Sequence, residues 1–312
     1  MLLQFTKMEG CGNDYIYISG FTQHLPEEEK PRIVRELSRE HFGIGSDGVI
    51  FINPSSLADF EMQMYNKDGS RGKMCGNGIR CVGKYVYDHG MTNGRTVFTV
   101  ESFGSVKKLE LTCRDGKATA ARVNMGKPIL EPAAIPVCLP DASAAEAAVV
   151  AKPIEAAGRL WHMTCASMGN PHAVIFLGEK ETDLLKACGR LDENGQEIPD
   201  GDLRNLDIAG IGPAFENHPC FPERTNTEFV QVVDRQHVNM RVWERGSGET
   251  LACGTGCCAT AVACVLNGKT DRELDVRLLG GTLHIAWDEK SGEIYMTGPA
   301  KTVFDGTISV SV

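Results

Sequence analysis

Long hydrophobic runs are missing from this 312-residue chain. The longest, such as residues 261–266, fall far short of the roughly 20 apolar residues that span a bilayer. Residues 1–10 have no apolar core of the length a signal peptide needs. The expectation is a soluble, cytoplasmic protein without a membrane partner. Positive charge is also in short supply. The chain has 32 Lys+Arg against 41 Asp+Glu, a formal charge of −9. That balance argues against a nucleic-acid protein, because phosphate binding needs a net basic face. It argues equally against docking on anionic lipid. No low-complexity tract or long charge run occurs. What is abundant is cysteine, at 12, and glycine, at 34, often side by side. A secreted disulfide scaffold is normally shorter and denser in cysteine. In a reducing compartment the uses left are free thiols, metal ligands or catalysis.

The length suggests about two domains, at roughly 150 residues each. Short β-branched or aromatic segments at 15–18, 49–52, 97–100, 106–111, 174–177, 229–233 and 238–242 predict strands. Only three segments have strong helical patterns: 27–40, 77–87 and 255–266. Many strands with few helices predict an α+β protein. Residues 131–158, rich in Ala and Pro, are expected to be an inter-domain region or a surface excursion; residues 192–207 are expected to be a loop. The chain also repeats itself. Gly12-Asn13-Asp14-Tyr15 resembles Gly169-Asn170-Pro171-His172, and Cys75-Gly76-Asn77-Gly78 resembles Cys253-Gly254-Thr255-Gly256. The offsets, 170 − 13 = 157 and 253 − 75 = 178, differ by 21, which fits an insertion in the second half around 188–207. Two similar domains are expected.

Three motifs fail on context. Residues 43–48 match G-x-G-x-x-G, but a helix pattern precedes them and a strand follows, the reverse of a dinucleotide site. Gly268-Lys269-Thr270 looks like the end of a phosphate loop, yet Ala263 stands where its first glycine belongs. Cys253 and Cys257, with Cys75 and Cys81, could be grouped as four thiolates for zinc. The six-residue separation of Cys75 and Cys81 lies outside the usual spacing, so no metal site is expected.

The two cysteine–glycine blocks carry the chemistry. In each, a thiol stands where a helix begins. The free N–H groups and dipole there favour an anion, which lowers a thiol's pKa or binds a carboxylate. Cys81, Cys257, Cys258 and Cys264, deeper in those helices, are expected to be packing residues. Two thiols facing one carboxylate suit a specific reaction. One thiolate takes the Cα proton of an amino acid and the other thiol returns one to the opposite face. The helix ends hold the charge that develops. A Schiff-base cofactor is not required.

The residues carrying this plan resemble the diaminopimelate epimerases, of the cofactor-independent two-cysteine racemase group. The likeness runs through residues 7–14, 66–70, 74–81, 167–172, 223–226, 244–256 and 295–299. It implies two α/β domains of similar fold, each a barrel-like, mostly antiparallel sheet around a central helix. They would comprise residues 1–126 with the C-terminal strand 299–312, and residues 127–298, with the active site in the inter-domain cleft. Cys75 and Cys253 would be the acid/base pair, assisted by His172 and Glu244. Gly76, Asn77, Gly254 and Thr255 would hold the reacting carboxylate. Asn13, Asn66, Asn170, Asn226, Glu244 and Arg245 would contact the rest of a small amino-acid substrate. Arg245 suits a distal carboxylate because its fork binds one bidentately. The resemblance also implies no cofactor and a homodimer, although Phe304 stands where the family often has a contact Tyr.

The implied reaction converts LL-2,6-diaminopimelate to the meso form, a step serving lysine and peptidoglycan precursors. One alternative keeps the mechanism and changes the substrate to histidine or another amino acid; the distal residues Asn170, Asn226 and Arg245 speak for a substrate with a second amino-acid head. Another is a thiol-based metal or redox protein. A third, a proton-shifting isomerase without the cysteines, conflicts with the presence of both.

Overall fold

A computed structural model describes residues 1–139, 147–187, 189–192 and 194–311. It divides into two compact units, residues 1–124 with 297–312, and residues 125–296.

In the first unit, β1 (Leu2–Gly10) turns through Cys11 and Gly12 into β2 (Asn13–Ser19). Both turn residues have positive φ, 55° and 78°, as a two-residue hairpin with the right twist requires. Helix α1 (Lys30–Ser38) crosses to β3 (Gly48–Asn53), which pairs parallel with β2. Strand β4 (Phe60–Asn66) returns antiparallel, and α2 (Gly76–Asp88) leads to β5 (Val97–Ser102), parallel to β4. Antiparallel β6 (Ser105–Arg114) and β7 (Lys117–Gly126) follow.

The second unit contains β8 (Lys152–Ala156) and β9 (Arg159–Ser167), then β10 (Pro171–Phe176), α3 (Ile208–Glu216) and β11 (Asn226–Val232). Next come β12 (His237–Glu244), the short β13 (Gly248–Thr250) and α4 (Gly254–Leu266), then β14 (Glu273–Leu278), β15 (Gly281–Trp287) and β16 (Ile294–Pro299). The closing strand, β17 (Lys301–Ser309), pairs antiparallel with β1 in the first unit.

The two units share one sequence of pairings. In the first, β1–β2 antiparallel, β2–β3 parallel, β3–β4 antiparallel, then α2, β4–β5 parallel and β5–β6 antiparallel. In the second, β9–β10, β10–β11, β11–β12, α4, β12–β14 and β14–β15 repeat that order and those directions. Helices α2 and α4 each have 13 residues. Both end on a left-handed glycine, Gly90 or Gly268, and close with a backbone bond from the residue beyond it, Met91 to Val86 or Lys269 to Cys264.

Strand β2 is buried on both faces. In β2, Ile16 and Ile18 pack on Ile33, Val34 and Leu37 of α1, while the intervening Tyr17 reaches α2, its hydroxyl donating to the Gly78 carbonyl at 3.3 Å. In the second unit, Trp161, Phe215 and Phe229 stack edge to face beneath α3. The deeper cysteines Cys81, Cys257, Cys258 and Cys264 are fully buried.

Two expectations need correction and a third gains detail. The first helix begins at Lys30, three residues into the expected 27–40 segment, with Pro31 in its first turn, where a missing N–H costs nothing. The described part of 131–158 is neither linker nor surface excursion, for Ile135, Val137, Val149 and Ile154 belong to the core of the second unit. Residues 140–146 of that stretch lie outside the described residues. The 192–207 loop is tied down as well. Leu203 and Leu206 are buried, and the Arg241 guanidinium binds the carbonyls of Leu203, Arg204 and Leu206. Helix α3 follows directly, capped by Asp207 and containing Pro213; its weak periodicity hid it in the sequence.

Candidate active site

Cys75 is the N-cap of α2 and Cys253 the N-cap of α4, both in extended backbone. A glycine stands at the third helical position in each. A Cβ on Gly78 would lie 3.5 Å from the Cys75 sulfur and 2.7 Å from Ile50 Cδ1. One on Gly256 would lie 3.3 Å from the Cys253 sulfur and 2.6 Å from Glu228 Oε1. The glycines let each sulfur lie over the first turn, where backbone N–H groups lack intrahelical partners.

Beside Cys75 stand two neutral side chains, Asn13 and Tyr15. The Gly78 N–H donates to the sulfur at 3.2 Å, and the thiol donates to Asn13 Oδ1 at 3.2 Å. Asp47 fixes that orientation, since Asn13 Nδ2 donates to its carboxylate at 2.6 Å and only the oxygen is left for the thiol. The Tyr15 hydroxyl lies in hydrogen-bond reach of Cys75, and burial pushes this phenol well above its usual pKa, so it stays a donor. Behind the helix start, fully buried Arg80 binds the Gly76 carbonyl at 3.0 Å and Asn77 Oδ1 at 2.9 Å, holding that first turn in place. Asn66 ends β4, and its amine donates to Ser70 at 3.0 Å.

Around Cys253 the neighbours are ionisable. The sulfur makes no cap hydrogen bond; it lies 3.5 Å from the Thr255 hydroxyl and 4.0 Å from Asn226 Nδ2. Burial, then the Glu244 and Glu228 carboxylates, push this thiol well above its ordinary pKa. Burial also raises Glu244, against the opposing pull of bonds from Thr250, at 2.5 Å, and Cys253. His172 is completely buried, with Nδ1 at 2.7 Å from Glu228 Oε1 and Nε2 at 3.1 Å from Asn170 Oδ1. Asn226 Oδ1 accepts the Arg245 backbone N–H at 3.0 Å, and the Arg245 guanidinium donates to the Glu223 carbonyl at 2.9 Å.

Thus Asn13 gathers at Cys75, and Asn226, Glu244 and Thr255 at Cys253, with His172 linked to Asn170. Sequence reasoning missed Tyr15, Asp47, Arg80 and Glu228. The repeat held a signal for Tyr15, which occupies in the first copy the place of His172 in the second. Among the described residues, no three His, Cys, Asp or Glu side chains form a group that could hold a metal ion. No helix among them is long and apolar enough to cross a membrane.

Comparison with known proteins identifies the family. The diaminopimelate epimerase family profile matches residues 5–131 and 164–303. A diaminopimelate epimerase of Desulfovibrio desulfuricans is 50% identical over 305 residues, covering 97% of each chain. One from Agathobacter rectalis is 48% identical over 99% of this chain and 100% of its own. One from Methanococcus maripaludis is 46% identical over 99% and 100%. Among solved structures, a Bacillus anthracis protein of the PhzF family superposes with a TM-score of 0.65 at 15% identity, covering 99% of this chain and 100% of that one. A hydroxyproline epimerase from Agrobacterium vitis gives 0.65 at 15%, covering 98% and 91%. These distant structures share the fold. The extent and identity of the sequence matches show that this chain belongs to the diaminopimelate epimerase family.

Proposed function

We propose that this protein epimerises LL-2,6-diaminopimelate to the meso form, with Cys75 and Cys253 as its two acid/base groups and no cofactor. The observation that carries the mechanism is the duplicated N-cap thiol, each over a glycine-opened helix start. The Cys75 thiolate takes the Cα proton and becomes the thiol. The Cys253 thiol gives its proton to the opposite face of the carbanion and becomes the thiolate. Burial and the neighbouring Glu244 carboxylate favour Cys253 as the group that starts protonated. The Gly78 N–H and the Tyr15 hydroxyl are the donors suited to a Cys75 thiolate, which forms when the thiol gives up the proton it directs at Asn13 Oδ1. Amides at Gly76, Asn77, Gly254 and Thr255 hold the reacting carboxylate as its enediolate-like charge develops. Asn13, Asn66, Asn170, Asn226, Glu244 and Arg245 contact the rest of the substrate, with Glu244 and His172 assisting the two thiols. The domains as the family resemblance draws them, 1–126 with 299–312 and 127–298, each contribute one thiol.

The test is proton NMR in D2O with LL-diaminopimelate, no pyridoxal phosphate, and a panel including histidine. Loss of the Cα–H signal with meso product, abolished by Cys75→Ala and by Cys253→Ala, is expected. Exchange with another amino acid alone would overturn the substrate. No exchange at all in folded protein would overturn the reaction. The same reading makes the protein a cytoplasmic homodimer. Exposed Val303 and Phe304 on β17 support a subunit contact, which sedimentation analysis tests.

A further inference from the structure

The register of the two units sets residue against residue. Ile50 lies beside Tyr17 in the β2–β3 pair, and Glu228 beside Val174 in the β10–β11 pair. Each is the side chain that a Cβ on the helix-start glycine would strike first. Where the first unit has an isoleucine and a tyrosine, Ile50 and Tyr15, the second has a carboxylate and an imidazole, Glu228 and His172. A carboxylate in an apolar position is costly to keep without a task.

Glu228 is fully buried. Its Oε1 meets His172 Nδ1 at 2.7 Å, while its Oε2 has no hydrogen-bond partner among the described residues. A lone negative charge there would be buried with half its acceptor capacity unused, so the Glu228–His172 pair favours net neutrality. Neutrality requires two protons on the pair. One lies between Oε1 and Nδ1, whichever atom owns it. The other goes to Nε2, which faces the acceptor Asn170 Oδ1 at 3.1 Å, rather than to Glu228 Oε2, which has no hydrogen-bond partner among the described residues. An Asn170 amide held by its oxygen turns its amine outward, and Asn170, unlike His172, is only partly buried.

We propose that Glu228 is a positioning residue of the second half-site, acting through His172 to fix Asn170 with its amine presented as a hydrogen-bond donor to a substrate carboxylate. This rests on the reading of Asn170 as a substrate contact. The opposite arrangement is the usual one for a histidine beside an anionic carboxylate. There Nδ1–H donates to Glu228, Nε2 is bare, and the Asn170 amide is reversed to offer its oxygen.

Two measurements separate these arrangements. The first is ¹⁵N NMR of the histidine ring in the wild-type protein, assigned with His172→Gln. A protonated Nε2 from pH 6 to 8 is expected; a bare Nε2 overturns the proposal, whether or not the protein is an epimerase. The second compares Glu228→Leu with Glu228→Gln, each checked for folding by thermal unfolding. Leucine removes the anchor, and KM for diaminopimelate is expected to rise about tenfold, with a smaller effect on kcat, as one hydrogen bond to a carboxylate is lost. Glutamine is neutral, and its amine can donate to Nδ1. It is expected to restore most of that loss and to keep Nε2 protonated. Glutamine as damaging as leucine, or leucine without effect on KM, overturns the proposal. If the leucine variant does not fold, the wild-type spectrum and the glutamine variant still decide. An inactive wild-type protein with protonated Nε2 would sink the epimerase reading and leave the His172 geometry standing.

Discussion

The two units build the same frame and fill it differently. In each, an antiparallel hairpin, a parallel crossover and another antiparallel strand precede a 13-residue helix that starts at a cysteine. Cys75 is half-buried among an asparagine, a tyrosine and a capping N–H, whereas Cys253 is buried beside two carboxylates. Backbone geometry fixes where a thiol stands, but a few side chains around it decide how readily it loses its proton. Two chemically identical groups thereby stand in different surroundings.

The largest effects test whether both halves are needed. Cys75→Ala and Cys253→Ala are each expected to lower kcat by about 10²- to 10⁴-fold, the range of a lost acid/base group. A loss smaller than about tenfold in either variant, measured as meso product formed, would break the equivalence of the halves.

The next effect sharpens their difference. At pH 7, iodoacetamide should label Cys75 faster than Cys253, as followed by peptide mass spectrometry. Thiolate falls about tenfold for each unit by which pKa exceeds pH. Glu244→Gln should speed labelling of Cys253, because this carboxylate is the largest cause after burial of its raised pKa. Equal labelling of the two thiols in the wild type would remove the contrast.

Alkaline stability provides a third comparison. Burial pushes Cys81 in the first unit and Cys264 in the second up to about 12, and raises Cys11 in the first and Cys165, Cys220 and Cys253 in the second. A raised folded-state pKa stabilises fully below the ordinary thiol value of 9.0. Above it the unfolded chain loses protons that the folded chain keeps, so stability falls by up to about 1.4 kcal/mol per pH unit for each such thiol. Between pH 9 and the ordinary tyrosine value of 10.0, before Tyr15 and Tyr17 can contribute in the first unit, hydrogen exchange should rise first in the second. Equal rises would show that these thiols do not govern local opening.

The smallest effect concerns the helix-start glycines. Gly78→Ala presses on a movable Ile50 methyl; Gly256→Ala presses on a carboxylate bonded to His172. Overpacking costs about 1–3 kcal/mol, and the alanine regains up to about 1 in helix propensity. Gly256→Ala should therefore be the more destabilised by denaturant unfolding, by about 1 kcal/mol. A reversed order would mean that Glu228 yields more easily than Ile50.

The sequence by itself determined the local features. Glycines after each cysteine announce helix starts, alternating apolar residues announce strands, and the paired Asn and Cys blocks announce a duplicated plan. These signals lie within a few residues of one another, so propensity and spacing suffice. The tertiary structure decided what lies beside the thiols. Glu228 sits in an ordinary-looking strand, and only the parallel pairing of β10 with β11 brings it to His172, 56 residues earlier. Arg80 looks like a surface residue of an amphipathic helix until the fold encloses α2 and buries it completely. Ile135 and Val149 look like parts of a polar-flanked excursion until they close a core whose other members lie far along the chain. Burial and long-range register are properties of the whole chain. The charge that a buried group may carry is settled by them rather than by its neighbours in sequence.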